Sequence, residues 1–170
     1  MNKFEKISEN QFFKDFAEYL EDECLDTKDS LAVYHSLKLP KRATTGSAGY
    51  DIYAPYDIII PPEQTVKIPT GIRVLLDDDK FLAIYPRSGL GFKCKMQLYN
   101  TVGIIDSDYS KSDNEGHIWV KFYNDSPDDK TIYIEEGEAM CQGIIQQFFK
   151  AGDDEADGIR NGGFGSTGTK

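Results

Sequence analysis

The sequence predicts an all-β protein, and three observations predict it. Beyond residue 30 the chain breaks into short apolar runs rich in Ile, Val, Tyr and Phe. Gly, Pro and Asp punctuate those runs at the spacing expected of a sandwich or barrel. No strand alternates with a helical pattern in the way a doubly wound sheet requires.

A helical period is confined to residues 1–28. Ser8-Glu9-Asn10-Gln11 fits a capping box, and Ile7 with Phe12 has the spacing of a hydrophobic staple. Phe13, Phe16, Ala17, Leu20 and Cys24 then fall on one helical face, which is expected to pack on the body or on a neighbouring subunit. Strands are expected at Leu31–Leu37, Tyr50–Tyr53, Asp57–Ile60, Thr65–Pro69, Ile72–Leu76, Phe81–Tyr85, Met96–Asn100, His117–Tyr123, Thr131–Ile134 and Ala139–Phe148. Pro61-Pro62-Glu63-Gln64 and Asn124-Asp125-Ser126-Pro127-Asp128-Asp129 read as turns. Beyond Phe149 the composition shifts to Asp153-Asp154-Glu155-Ala156-Asp157-Gly158, a solvated linker with little apolar surface to offset its ordering. The expected organisation is a helical extension over 1–28, a β-domain over 29–150, and a linker with a flexible glycine-rich C-terminal arm over 151–170.

At 170 residues the chain is most simply one domain with a proper core, and 39% hydrophobic with 28% charged residues fits a globular protein. No stretch approaches the ~20 apolar residues of a membrane span. The N-terminus carries no apolar signal core, so a cytoplasmic location is the default expectation. A net charge of -10 repels polyanions and argues against nucleic-acid or anionic-membrane binding. Cys24, Cys94 and Cys141 form no Cys-x-x-Cys, and His35 and His117 are the only histidines. A zinc site is therefore not expected, and the thiols read as reduced and structural.

Tyr99 to Tyr109 reads as a tight β-hairpin, in which Gly103 permits a turn or a close approach to a ligand. Asp106 and Tyr109 then place a carboxylate and a ring near a strand end, a combination suited to a small planar ligand. In Pro86-Arg87-Ser88-Gly89-Leu90-Gly91, the guanidinium, hydroxyl and glycine-flanked amides could grip a phosphate, or form an ordinary turn. Ser88 lacks a Gly-x-Ser-x-Gly elbow and is not expected to be a nucleophile. Asp51 stands in a strand just after a Gly-rich loop, where it would support a cation or an arginine, or cap a turn. Gln142 lies in an otherwise apolar strand and needs a partner for its amide, structural or ligand. In the arm, Gly, Ser and Thr suit phosphate oxygens, with Arg160 as a bidentate donor and Phe164 as a stacking face. It is no P-loop, because Thr169 occupies the Lys position and no helix follows.

Together these stretches resemble the trimeric, all-β dUTPase family. Its five ordered motifs match Ala48-Gly49-Tyr50-Asp51, Pro86-Arg87-Ser88-Gly89, Gly103-Ile104-Ile105-Asp106-Ser107-Asp108-Tyr109, Gly137-Glu138-Ala139-Met140-Cys141-Gln142 and Gly162-Gly163-Phe164-Gly165-Ser166-Thr167-Gly168. The resemblance implies a jelly-roll-like barrel in a homotrimer, with active sites built at subunit contacts. It implies hydrolysis of dUTP to dUMP and pyrophosphate by water attack on the α-phosphorus, with Mg²⁺ on the phosphate oxygens. The hairpin residues Asn100, Gly103 and Ile105 would read the uracil, and Tyr109 would pack on the sugar and disfavour a 2′-hydroxyl. Asp106 would orient and activate the water. Arg87, Ser88, Gly89 and Gln142 would hold the phosphates, and no residue would bind the Mg²⁺ directly, the phosphates and waters holding it with Asp51 as indirect support. Arg160, Gly165, Ser166 and Thr167 would close on the γ-phosphate while Phe164 covers the base, so that the arm acts as a lid.

Two departures from the family pattern stand out. Ser110-Lys111-Ser112-Asp113-Asn114-Glu115 intervenes before Gly116, where the family has one residue between tyrosine and glycine. The arm is also one residue short between Arg160 and Phe164. The related dCTP deaminases carry a glutamate where Lys121 aligns, which argues against deamination. A nucleotide sensor without turnover would have no need of Asp106.

Overall fold

The computed structural model describes residues 1–22 and 29–158. Cys24 and the arm residues Arg160, Phe164, Gly165, Ser166 and Thr167 lie outside them. Eleven strands and three helices are described: β1 (Lys3–Lys6), α1 (Glu9–Asp22), α2 (Ser30–Ser36), β2 (Tyr50–Tyr53), β3 (Ile58–Ile60), β4 (Thr65–Pro69), β5 (Ile72–Leu75), β6 (Lys80–Pro86), α3 (Ser88–Cys94), β7 (Met96–Leu98), β8 (Gly103–Asp106), β9 (Trp119–Asn124), β10 (Ile132–Ile134) and β11 (Ala139–Gln147). A 3₁₀ turn, Ser107–Lys111, follows β8.

The strands form a four-stranded sheet in the order β2-β11-β6-β8, a three-stranded sheet β4-β9-β7, and the pairs β1-β5 and β10-β3. Every named pairing is antiparallel. Alternation along the strands sends Ile58 and Ile60 inward and leaves Ile59 58% exposed, as a one-faced sheet demands. The inward residues, with Ile68, Leu82, Ile84 and Phe122 at 0–1% exposure, make one core. This is the all-β, jelly-roll-like architecture that the sequence predicts.

Two N-terminal elements differ from the sequence expectation. Leu31–Leu37 is the helix α2, because Asp29 caps it by accepting from the Leu31 and Ala32 amides at 3.1 Å each. Val33 packs inward and the Tyr34 hydroxyl donates to Ile7 O at 2.8 Å, contacts that an apolar alternation also satisfies. Conversely, Lys3–Lys6 is a strand and not part of a helix. It pairs with β5, setting Phe4 against Val74 and Glu5 against Arg73. The helical segment is thus inserted between the first strand and the rest of the sheet structure.

In α1 the buried face is Phe12, Asp15, Phe16 and Tyr19, rotated from the predicted one so that Ala17 is exposed. Phe13 and Leu20 flank it half-buried. An apolar pattern passes over Asp15, which is only 6% exposed. It is tolerated because His117, itself fully buried, meets it at 2.6 Å. The Gly71 amide donates to His117 Nε2 at 2.8 Å, so Nε2 must accept and Nδ1 carries the proton given to Asp15.

Burial favours the neutral ring and lowers the His117 pKa below its ordinary 6.5, against the opposing carboxylates of Asp15 and Glu115. A group whose folded pKa is depressed contributes stability above its unfolded value and loses it as pH falls. Thermal stability should therefore drop as pH falls from 6.5 towards the folded pKa of His117. Melting curves between pH 7.5 and 5.5 check this, and a flat profile would contradict a neutral buried ring.

Candidate active site

The sheet order brings four of the five motif stretches onto neighbouring strands, although they lie far apart in sequence. β2 carries Asp51, β11 carries Gln142, β6 ends at Pro86-Arg87, and β8 ends at Asp106. Gln142 stands opposite Asp51 on one side and Tyr85 on the other. Its amide donates to Pro86 O at 3.2 Å, the structural partner that an amide in an apolar strand needs. Arg87 Nε lies 3.2 Å from Asp51 Oδ1, so Asp51 supports an arginine. Gly49 leaves room for the Gln142 side chain, since a Cβ there would lie 2.4 Å from Gln142 Oε1 and the amide would have to turn aside. Ser88 and Gly89 open α3 and are exposed beside Arg87. This corner presents a guanidinium, an amide, a hydroxyl and free backbone surface, a set suited to phosphate oxygens.

The other end of the candidate site is the β7–β8 connection, which is not the tight β-hairpin that the sequence predicts: β7 pairs with β9 and β8 with β6, so this open hairpin joins two different sheets. Its turn is made by Thr101 at φ +69°, held by Thr101 N to Leu98 O at 2.9 Å and Val102 N to Asn100 O at 2.7 Å. A β-branched residue at positive φ is strained, and such strain is characteristic of functional loops. The sequence reading gave Gly103 that freedom, but its role is close approach within β8. A Cβ there would sit 3.3 Å from the Ile84 side chain. A cavity of about 240 Å³ opens beside the hairpin, walled by Asn100, Gly103, Ile105, Leu98 and Ile84. Tyr99, Trp119 and Lys121 also line it, with Lys121 Nζ 4.5 Å from the Tyr99 ring centre. The volume is below the ~300–1,000 Å³ of drug-sized pockets and suits a single small ring.

Asp106 terminates β8 opposite Phe81 and is half-buried. Tyr109 follows in the 3₁₀ turn at 3% exposure, so a sugar can meet only what little of its ring reaches the surface. Asp106 and Arg87 are not brought together within one chain. Asp106 is level with Phe81 at the start of β6, and Arg87 follows its end, six residues or ~20 Å along the strand. Among the described residues no group of three or more His, Cys, Asp or Glu side chains is placed to hold a metal ion. Cys141 is fully buried and its thiol is pushed up by that burial, which makes it structural.

The family model for dUTPase matches residues 35–169. The chain belongs to the dUTPase family. It is 40% identical over 135 residues to a deoxyuridine 5′-triphosphate nucleotidohydrolase of Lactococcus lactis, spanning 78% of this chain and 89% of that protein. A Haemophilus ducreyi nucleotidohydrolase of the same description is 44% identical over 138 residues, spanning 76% and 86%. Among solved structures, the dUTPase of Streptococcus mutans superimposes with a TM-score of 0.64 at 31% identity, covering 87% of this chain and 97% of that one. β1 and α1 precede the span that the family model matches.

Sequence reasoning passed over Thr101, Lys121 as a cavity residue, and the pair Asp15 and His117. Thr101 carries no signal, since its neighbour Gly103 is the residue that a turn would select. His117 gave a signal only in being one of two histidines.

Proposed function

We propose that the protein hydrolyses dUTP to dUMP and pyrophosphate, with water attacking the α-phosphorus and Asp106 as its base. The observation that carries the reading is the convergence of Asp51, Arg87 and Gln142 in one corner of the four-stranded sheet, with β6 and β8 of that sheet also walling the cavity that opens between it and the three-stranded sheet. The cavity would take uracil against the backbone of Asn100, Gly103 and Ile105. A hairpin packed this closely discriminates against a 5-methyl group by sterics and against mismatched edges by unpaired polar groups. Arg87, Ser88, Gly89 and Gln142 would hold the phosphates. Arg160, Gly165, Ser166, Thr167 and Phe164 would close over the bound nucleotide as a lid.

The substrate is taken as its Mg²⁺ complex. With Asp51 engaged by Arg87, the chain's own residues suit a metal carried on the phosphates better than a resident one, in keeping with the hydrated, phosphate-bound habit of Mg²⁺. Bound there, the ion offsets phosphate charge, which suits a protein of net charge -10.

The ~20 Å between Asp106 and Arg87 exceeds what one triphosphate bridges. We therefore assign the protein to a homotrimer in which one protomer's base and water half faces another's phosphate half. Phe92, Tyr133 and Phe149, at 91%, 68% and 86% exposure, supply apolar surface for such contacts. The acidic surface and the small cavity favour a free nucleotide over nucleic acid or membrane, in the cytoplasm.

Pyrophosphate release from dUTP, dTTP, dCTP and UTP with Mg²⁺ tests the reading. Turnover of dUTP far above the other three is expected. Binding of dUTP with no release of pyrophosphate would replace it with a sensor.

A further inference from the structure

The six inserted residues after Tyr109 do not project away from the site; they fold back onto it. Gly116 takes φ +76°, and a Cβ there would lie 2.6 Å from Ser110 Cα, so the loop closes on itself as only glycine allows. Asn114 Nδ2 donates to the Tyr109 hydroxyl at 2.9 Å, and that hydroxyl donates to His117 O at 2.9 Å. Asn114 is itself fixed, its Oδ1 accepting from the Ser112 hydroxyl at 2.8 Å and the Gly116 amide at 3.2 Å.

The same loop is fastened to α1. Glu115 accepts from the Ser8 amide at 2.8 Å and from its hydroxyl at 2.6 Å, taking the place that Gln11 would fill in a capping box. Gln11 donates instead to Asp15, which holds the His117 ring. Two short paths therefore lead from the helical insertion to the Tyr109 hydroxyl, one through Glu115 and Asn114, the other through Asp15 and His117.

We propose that Asn114 is a positioning residue for Tyr109, braced by Glu115 against Ser8 just before α1, and that it sets the discrimination between 2′-deoxy and 2′-hydroxy nucleotides. This rests on the reading of Tyr109 as the ring beneath the sugar. A steric gate works only where its ring is held, and two hydrogen bonds of opposite sense fix the hydroxyl along the ring axis. Releasing either removes a constraint on where the ring sits, and with it a constraint on the space left for a 2′-oxygen. The N-terminal helix and the inserted loop thereby act on one side chain of the site.

The test is the ratio of kcat/KM for dUTP over UTP, measured beside the melting temperature. Tyr109→Phe keeps the ring and deletes the tether; Asn114→Ala removes the donor; Glu115→Ala removes the brace without touching Tyr109; Tyr109→Leu removes the ring. The ratio is expected to fall about tenfold in Tyr109→Phe and Asn114→Ala, and in the same direction in Glu115→Ala, because misplacement of a positioning group is costly out of proportion to its distance. If Tyr109→Leu loses the discrimination while Tyr109→Phe keeps it within about twofold, the loop is structural and the proposal fails. If Tyr109→Leu also keeps it while dUTP is still hydrolysed, the sugar-gate reading itself fails, and the proposal with it.

Discussion

Asp106→Asn is expected to lower kcat for dUTP by about 10²–10⁴-fold with little change in KM, because a positioned general base contributes about that much in the transition state. Asparagine keeps the shape of the side chain and removes the capacity to take a proton from water. The backbone at this point is secured by pairing of Asp106 with Phe81, and the adjoining Ile105 is buried at 2% exposure. The substitution therefore changes chemistry and not architecture, and the melting temperature should stay close to that of the parent. Steady-state kinetics together with dUTP binding decides it. An unchanged kcat would remove Asp106 from the role of base.

Arg87→Ala and Asp106→Asn should each be nearly inactive alone, and should restore activity when their protomers are mixed. If the phosphate half and the base half of each site come from different protomers, a one-to-one random mixture has both halves intact in about a quarter of its sites. The expectation follows from β6, whose start pairs with Asp106 at the end of β8 and whose far end leads into Arg87. Arg87→Ala also leaves Asp51 without its cation, so its own melting temperature must be measured before mixing. Refolding the two variants together and assaying dUTP turnover reads the result. No recovery in verified mixed oligomers would mean that both residues serve the same protomer's site.

The β-domain was largely legible from the sequence because its strands are bounded by strong punctuation. Tyr50–Tyr53 and Thr65–Pro69 agree with expectation to the residue, each ended by a Pro- or Gly-containing turn. The N-terminal region was less legible for a physical reason. Leu31 to Leu37 carries apolar residues that satisfy a strand or a helix, and the outcome turned on the Asp29 cap and on Tyr34 reaching Ile7. Lys3–Lys6 has too few apolar residues to announce a strand and becomes one because β5 offers an edge. Asp15 shows the same limit in α1, since a buried carboxylate is intelligible only beside His117, 102 positions away.

By itself the sequence determined the fold class and the family, because these reside in local patterns and in five short stretches kept in order. It did not determine which of those stretches meet. The tertiary structure decided that Asp51, Arg87 and Gln142 share a corner while Asp106, on β8, pairs with the far end of β6, since register and strand order are long-range properties of the sheet. It also decided the place of the inserted loop. Nothing local in Ser110–Glu115 points to Tyr109 or to Ser8; both contacts exist because the chain turns back at Gly116 and α1 lies where Glu115 can reach it.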